Sequence, residues 1–439
     1  MLDVWLYGIF ALDSAQVHRI SHEPLLEIVR VPMVVNAGIM GALLVPLAPQ
    51  VRVREVLIGF SLLCFLVFTG VVFTGLLLGA AAVVFTTARL LHRWAQRRRN
   101  PERPLVVGWV VIHLMYLPVF FVILPPFDGH MTWGEVTQFW GAAFVTMKSV
   151  NYTRMACDRR VDPFAPGAVR RFLLYIIHFA SFRFGPYQTF LQFDHEVSTC
   201  KERLSWRNRA IGAGRIGLGA IKFLIIFHWI NKEFFYPSGY YGPLAEELFL
   251  NAANADPGHL WLMMYLYVLR MYLFISGLSD GVIGMNLMMG IRVPENSNWP
   301  FLSRDVIEFW RRWHMQTGAF LRDEVFFPVG GLRNRNLGFF CVFAYCGFWH
   351  FPSASAILLF PILQVAVFEA THQLRAFWQR HRALDDWIYD WGGRLYLRES
   401  LLTHALGIVI VINVFALSCL FVFDHNYGGL TMLPRMFGF

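Results

Sequence analysis

Two histidines in this 439-residue chain sit where an imidazole can do chemistry. His350 lies in GFWHFPS and His314 in FWRRWHM, each directly preceded by a tryptophan (Trp349 and Trp313). His350 falls inside a long apolar run. Ionisable groups at membrane depth are costly and mark function by default, and a neutral imidazole there is suited to taking a proton near neutral pH. The competing reading is a ring that bonds a backbone carbonyl freed by Pro352. His314 stands among Trp310, Arg311, Arg312, Arg322 and Asp323. Helical spacing puts Trp310, Trp313, His314 and Thr317 on one face, with Arg311 and Arg312 turned elsewhere. That face points either into a protein cavity or, in an amphipathic interfacial helix, along the bilayer surface.

A third group is Asp280, in LFISGLSDGVIGMNLMMG. Small residues explain Gly277, Gly281 and Gly284 as helix-packing positions. They leave the carboxylate unexplained, and a buried carboxylate needs a partner, for which an arginine or histidine of residues 304–350 is the natural candidate. The arginines Arg304, Arg311, Arg312, Arg322 and Arg333 suit bidentate contact with phosphates. Equally, they follow from cytoplasmic placement of basic loops.

The elements that hold these groups are membrane helices. Charged residues make up 15% of the chain and hydrophobic ones 56%, whereas an ordinary soluble domain is about a quarter charged. Apolar runs of spanning length lie at 31–49, 56–88, 105–126, 172–193, 211–230, 260–290, 337–371 and 401–423. The net charge of +9 resides in basic loops, of which Ala88–Pro104 is the densest. Such loops stay in the cytoplasm, so the charge gives no reason to invoke nucleic acid. Residues 125–135 and 231–259 read as external. The N-terminal 24 residues lack a basic leader and carry Trp5, Tyr7 and Phe10, which fits an interfacial helix.

Three runs do not fit a simple crossing. Residues 172–193 lie between two basic blocks and contain Gly185-Pro186, which predicts a helix that enters and returns with irregular backbone. Residues 337–371 have basic flanks on both sides and are interrupted by Pro352 and Pro361, which predicts a two-helix hairpin turning near His350. Residues 56–88 should bend at Gly70 or Gly75. The fold expected is all-α: one polytopic helical bundle with re-entrant or broken helices around a central tunnel, crossing about nine to eleven times.

Six cysteines without a CxxC pair give no disulfide framework or zinc site. The nucleophilic-serine elbow, the phosphate loop, HExxH and the dinucleotide-binding glycines are all missing. A transporter would also carry broken helices and polar groups at depth, but it would show paired interrupted helices.

The order PENSNWPFLSRDVIEFWRRWHM, LRDEVFFPVGG and GFWHFPSA, preceded by SGLSDGVIGMNLMMG and more faintly by FGPYQTFLQF, resembles the membrane-bound O-acyltransferases, in particular the branch that acetylates alginate and related polysaccharides. The resemblance implies one domain over 1–439, with less specific helices in 1–150, a catalytic core in 172–371 and a C-terminal span at 401–423. It implies a site of two histidines in a membrane tunnel, with His350 catalytic, His314 its companion, and Trp310, Arg311, Arg312, Trp313, Arg322, Asp323, Trp349 and Asp280 about the substrates. The donor would be acetyl-CoA or another acyl thioester, used as a co-substrate with no bound cofactor or metal. The partners would be membrane lipid and an extracytoplasmic acetyltransferase or polysaccharide-synthesis complex, in the cell (inner) membrane. Lipid, protein and D-alanyl wall-polymer transfer are the alternatives within the class, together with an inactive donor-handling partner. Phe351 stands where the family has glycine, and Glu324 where it has tyrosine, departures that leave an acceptor other than alginate open.

Overall fold

The computed structural model describes residues 38–123, 133–182, 185–230, 234, 256–350, 354–380, 401–427 and 429–438. The expected interfacial N-terminal helix and the two external loops lie largely outside them. Among the described residues the chain is helical, with no strand. Five stretches are long and apolar enough to cross a membrane: Gly70–Gln96, Trp206–Phe227, Pro257–Met288, Ser355–Phe377 and His404–Phe421. Side chains such as Val71, Val72 and Leu76 are more than two-thirds exposed, which only a lipid surround makes favourable over so long a helix. The protein is a multi-pass, all-α membrane protein.

The chain forms two compact units, residues 1–224 with 277–294, and residues 225–276 with 295–439. In the first, α1 (Val53–Gln96) is 44 residues long, about 66 Å, or twice a bilayer core. It bends at Gly70, whose φ of 79° leaves the helical region, and Thr74 Oγ1 donates to the Gly70 carbonyl at 2.8 Å. The bend expected there is present. α2 (Glu102–Ile123) and α3 (Trp133–Cys157) pack against it.

The segment expected to enter and return does not cross as one helix. α4 (Ala168–Ile177) is 10 residues long, about half a bilayer. The backbone then runs irregularly to α5 (Phe190–Ser198), which Thr189 and Gln192 cap reciprocally. The freed polar groups are paired inside the protein. Tyr175 Oη donates to the Gln188 carbonyl at 2.8 Å, Gln188 Nε2 to the Arg292 carbonyl at 2.9 Å, and the Phe190 amide to Asn151 Oδ1 at 2.9 Å. Irregular backbone at membrane depth is tolerated only with such internal partners.

α6 (Trp206–Ala220), which continues as a π-helix through Phe227, meets the end of α7 (Pro257–Met288) at glycines. A Cβ on Gly284 would lie 2.5 Å from the Gly212 carbonyl oxygen, and one on Gly219 equally close to that of Gly277. The small-residue packing expected for Gly277 and Gly284 is present. Asp280, 4% exposed, lies at this crossing. Its carboxylate takes Arg215 at 2.7 Å and Lys222 at 2.7 Å. The expectation of a partner within 304–350 is therefore corrected: the counter-charges come from α6, where Arg215 and Lys222 are seven residues, two turns, apart and share a face.

The second unit begins with the earlier part of α7 and continues through α8 (Val306–Arg312), α9 (Met315–Leu321), α10 (Arg335–His350), α11 (Phe360–Arg380), α12 (Leu401–Tyr427) and α13 (Gly429–Met436). α10 and α11 form the expected hairpin. Arg335 pairs with Glu369 at 2.6 Å, and the Phe339 and Phe343 rings lie 4.6 and 5.7 Å from Phe368. Near the turn, Gly347 lets the Ala356 carbonyl approach where any side chain would collide. Residues 351–353, with Phe351 and Pro352, lie outside the described residues, and with them the turn expected near His350.

Candidate active site

Asp305 starts α8 by accepting from the Glu308 amide at 2.9 Å, and its other oxygen takes Arg375 of α11 at 2.5 Å. A helix N-cap is thereby tied to the hairpin. α8 does not run on through the histidine. Trp313 is extended, His314 adopts φ 47°, ψ 45°, and α9 begins at Met315. The single helical face expected for Trp310, Trp313, His314 and Thr317 is thus corrected to a break between two short helices. The preceding loop straps it in place. The Asn298 amide donates to the Arg312 carbonyl at 2.9 Å, the Met315 amide to the Asn296 carbonyl at 2.7 Å, and Gln316 Nε2 to the Glu295 carbonyl at 3.0 Å. A left-handed backbone on a non-glycine residue costs about 1–3 kcal/mol and persists where surrounding contacts fix it, commonly at functional sites.

His314 is half-buried, with Nδ1 3.2 Å from Thr317 Oγ1. In the tautomer where the hydroxyl donates to Nδ1, the ring carries its hydrogen on Nε2. Trp313 is buried, lies nearly parallel to Phe309 at 5.6 Å and packs on Phe415 at 5.0 Å. Trp310 Nε1 donates to Gln364 Oε1 at 3.0 Å, Gln364 Nε2 to Ser418 Oγ at 2.6 Å, and Ser418 Oγ to the Val414 carbonyl at 2.6 Å. This chain joins α8, α11 and α12. Gln364 is 1% exposed, and the sequence reading passed over it because one glutamine does not break an apolar run. Gln364→Leu should lower stability by about 1–2 kcal/mol, because it leaves the Trp310 indole N–H buried without its acceptor. Unfolding of the purified variant in mixed detergent is the measurement, and an unchanged transition would show the chain to be energetically idle.

The arginines fall into two groups. Arg312 is held by Glu308 at 2.5 Å and Arg322 by the adjacent Asp323 at 2.8 Å, a bond that raises the guanidinium pKa. Arg311 and Arg333 are exposed. LRDEVF forms a π-helix over Arg322–Phe326, a geometry frequent at functional sites, and Glu324 within it is buried.

α9 reaches α10 through Phe320 and Tyr345, whose rings are 6.4 Å apart, and Tyr345 lies 5.6 Å from Trp349 one turn on. The segment that begins at His314 therefore packs on the helix that ends at His350. The His350 imidazole itself lies outside the described side chains. Asp280 belongs to the first compact unit and is neutralised there.

The described residues thus bring the constrained break at His314 close to the helix whose last residue is His350. No family model matches the chain. A teichoic acid D-alanyltransferase of Bacillus subtilis is 29% identical over 253 residues, 53% of this chain and 60% of the relative. A probable alginate O-acetylase of Pseudomonas aeruginosa is 31% identical over 220 residues, 48% of this chain and 38% of the relative. A second teichoic acid D-alanyltransferase, from Streptococcus thermophilus, is 25% identical over 339 residues, 74% of this chain and 77% of the relative. The chain thus spans less than two-thirds of the first two relatives. These relatives bear out the resemblance to the membrane-bound O-acyltransferases read from the sequence.

Proposed function

We propose that this protein is an enzyme of the cell (inner) membrane that moves an acyl group, acetyl in the first instance, from a thioester donor to a hydroxyl of an extracytoplasmic polysaccharide or wall polymer, directly or through an acyl-relay partner. The observation that carries the reading is the strapped left-handed break at His314, packed onto the helix that ends in His350, in a chain whose relatives are named for O-acetylation and D-alanylation.

In the reaction His350 acts as general base. Neutral imidazole takes the hydroxyl proton as the oxygen bonds to the thioester carbonyl carbon. The tetrahedral intermediate expels the thiolate as the C–S bond breaks, and imidazolium returns the proton to sulfur. His314, with its hydrogen on Nε2, donates to the developing oxyanion. The exposed Arg311 and Arg333 receive phosphates of the donor at the cytoplasmic mouth.

The informative variant is His314→Gly. Glycine adopts φ near +47° without penalty, so the break should persist while the ring is lost. Acyl transfer measured with radiolabelled acetyl-CoA, and in parallel with a D-alanyl-charged carrier protein, should fall about a hundredfold for whichever donor the parent uses. Full activity of this variant with both donors would remove His314 from the site, and failure of the parent to use either would overturn the thioester reading.

A further inference from the structure

The end of α1 carries a charge pattern that the acyl-transfer reading does not use. Arg89 and Arg93 lie one turn apart on the same face, and both guanidiniums rest on one ring of the loop between α3 and α4. Arg89 Cζ is 4.2 Å and Arg93 Cζ 4.6 Å from the Phe164 ring centroid. The shared ring therefore holds two like charges near one point, no farther apart than those two distances together. Its quadrupole attracts the cations but supplies no net negative charge to neutralise them.

Several other arginines of this compact unit are answered by carboxylates. Arg54 and Arg171 pair with Asp194, Arg170 with Glu55, Arg154 with Asp158 and Arg203 with Glu196. Arg159 donates to the carbonyls of Ala95 and Arg98, at 2.7 and 2.6 Å, and closes the end of α1. Among the described residues no carboxylate pairs with Arg89 or Arg93. Asp162, two residues from Phe164, accepts from the Phe164 amide at 2.8 Å and stands 3.8 Å from His92 Nε2 instead. Like charges one turn apart repel, so an anion between them would relieve the pair.

The rest of α1 indicates what that anion is attached to. Gly79, Ala82, Val83 and Thr86 continue the face of Arg89 and Arg93, and all four are exposed. A Cβ on Gly79 would meet open space. Gly79 and Arg89 are about 15 Å apart along the helix axis, half of the roughly 30 Å of hydrocarbon in a bilayer. An acyl chain of one leaflet has that reach. Beyond the pair, Arg97, Arg98, Arg99 and Arg103 are exposed on the basic loop, where they would repel the ammonium of a zwitterionic headgroup. We propose that Arg89 and Arg93 bind the phosphate of an anionic phospholipid from the leaflet at the basic loop, its acyl chain lying along α1 toward Gly79. Guanidinium suits the contact, because it can present two parallel N–H donors to phosphate oxygens. Phe164 gathers both side chains before the lipid arrives, which lowers the cost of ordering them.

The site is tested by native mass spectrometry of the purified full chain, released from nanodiscs of phosphatidylcholine with a minor share of phosphatidylglycerol. The parent should retain phosphatidylglycerol in preference to phosphatidylcholine, and Arg89→Gln with Arg93→Gln should weaken that retention about tenfold or more. Arg97→Gln with Arg99→Gln removes the same charge outside the pair and should weaken it about twofold at most. No preference in the parent, as a face that packs on another protein would give, overturns the site. So do equal losses in the two double variants, which would leave only the diffuse field of the basic loop. Glycerol 3-phosphate in excess should not displace the lipid, and displacement would assign the pair to a soluble phosphate and refute the lipid. Should the Arg89 and Arg93 variant fail to fold, thermal melts of the parent in detergent decide. A saturable rise with phosphatidylglycerol that exceeds the rise with oleate supports the site, and equal rises refute it. The proposal does not rest on the acyl-transfer reading, because its variants are scored by lipid binding.

Discussion

Asp280→Asn is expected to destabilise the protein by about 1–3 kcal/mol, because it removes the buried carboxylate that two partly exposed cations share. The carboxylate is almost fully buried and bridges Arg215 and Lys222, each at 2.7 Å. Asparagine keeps the shape and a hydrogen-bonding oxygen but removes the negative charge, so two cations remain at a helix crossing too close to admit compensating side chains. The loss should appear as an earlier unfolding transition and a reduced monodisperse fraction in detergent. A triple variant, Asp280→Leu with Arg215→Leu and Lys222→Leu, should recover most of it, since removing a whole buried ion cluster is far less costly than removing one member. If Asp280→Asn unfolds with the parent, the cluster is not what secures α6 to α7. Asp280 thus ties α6 to α7 through Arg215 and Lys222.

His350→Ala is expected to lower turnover by two to four orders of magnitude while leaving the fold intact. The residue closes α10 at the mouth of the hairpin turn, after the contacts of Phe339 and Phe343 with Phe368 have fixed the helix pair. In the proposed mechanism removing the imidazole removes the proton acceptor, while the ring contacts of Phe339 and Phe343 with Phe368 still hold the helix pair. Donor affinity should change little, so the effect falls on kcat and not on KM. The competing role, a ring that only bonds a carbonyl freed by Pro352, predicts the reverse pattern: lower stability with near-normal turnover of the folded fraction.

The features legible in the sequence are those that composition and covalent geometry dictate. Glycines in an overlong apolar run forecast a bend of α1 at Gly70 or Gly75, which falls at Gly70, and basic flanks with Pro352 and Pro361 forecast the hairpin. The conflict of charges around residues 172–193 forecast a segment that does not cross. What was hidden depends on contacts distant in the chain. The apolar period runs unbroken through Trp313 and His314, yet the loop from Glu295 to Asn298 forces the chain out of the helix there. Thr317, three residues beyond His314, was the available sign of a new helix start. Asp280 pointed to a partner, and the partner's side was misjudged because the seven-residue spacing of Arg215 and Lys222 went unused. Gln364 and Ser418 were invisible for a different reason. Single polar residues in apolar helices acquire meaning only once Trp310 is brought to them.

In the proposed mechanism His350 carries the proton chemistry of acyl transfer. The most direct measurement is release of free thiol from the acyl thioester by the purified protein with a hydroxyl acceptor present, comparing the parent with His350→Ala at matched folded fractions. The account predicts release by the parent and a fall of at least a hundredfold in the variant. Release by His350→Ala at the parent's rate would contradict it.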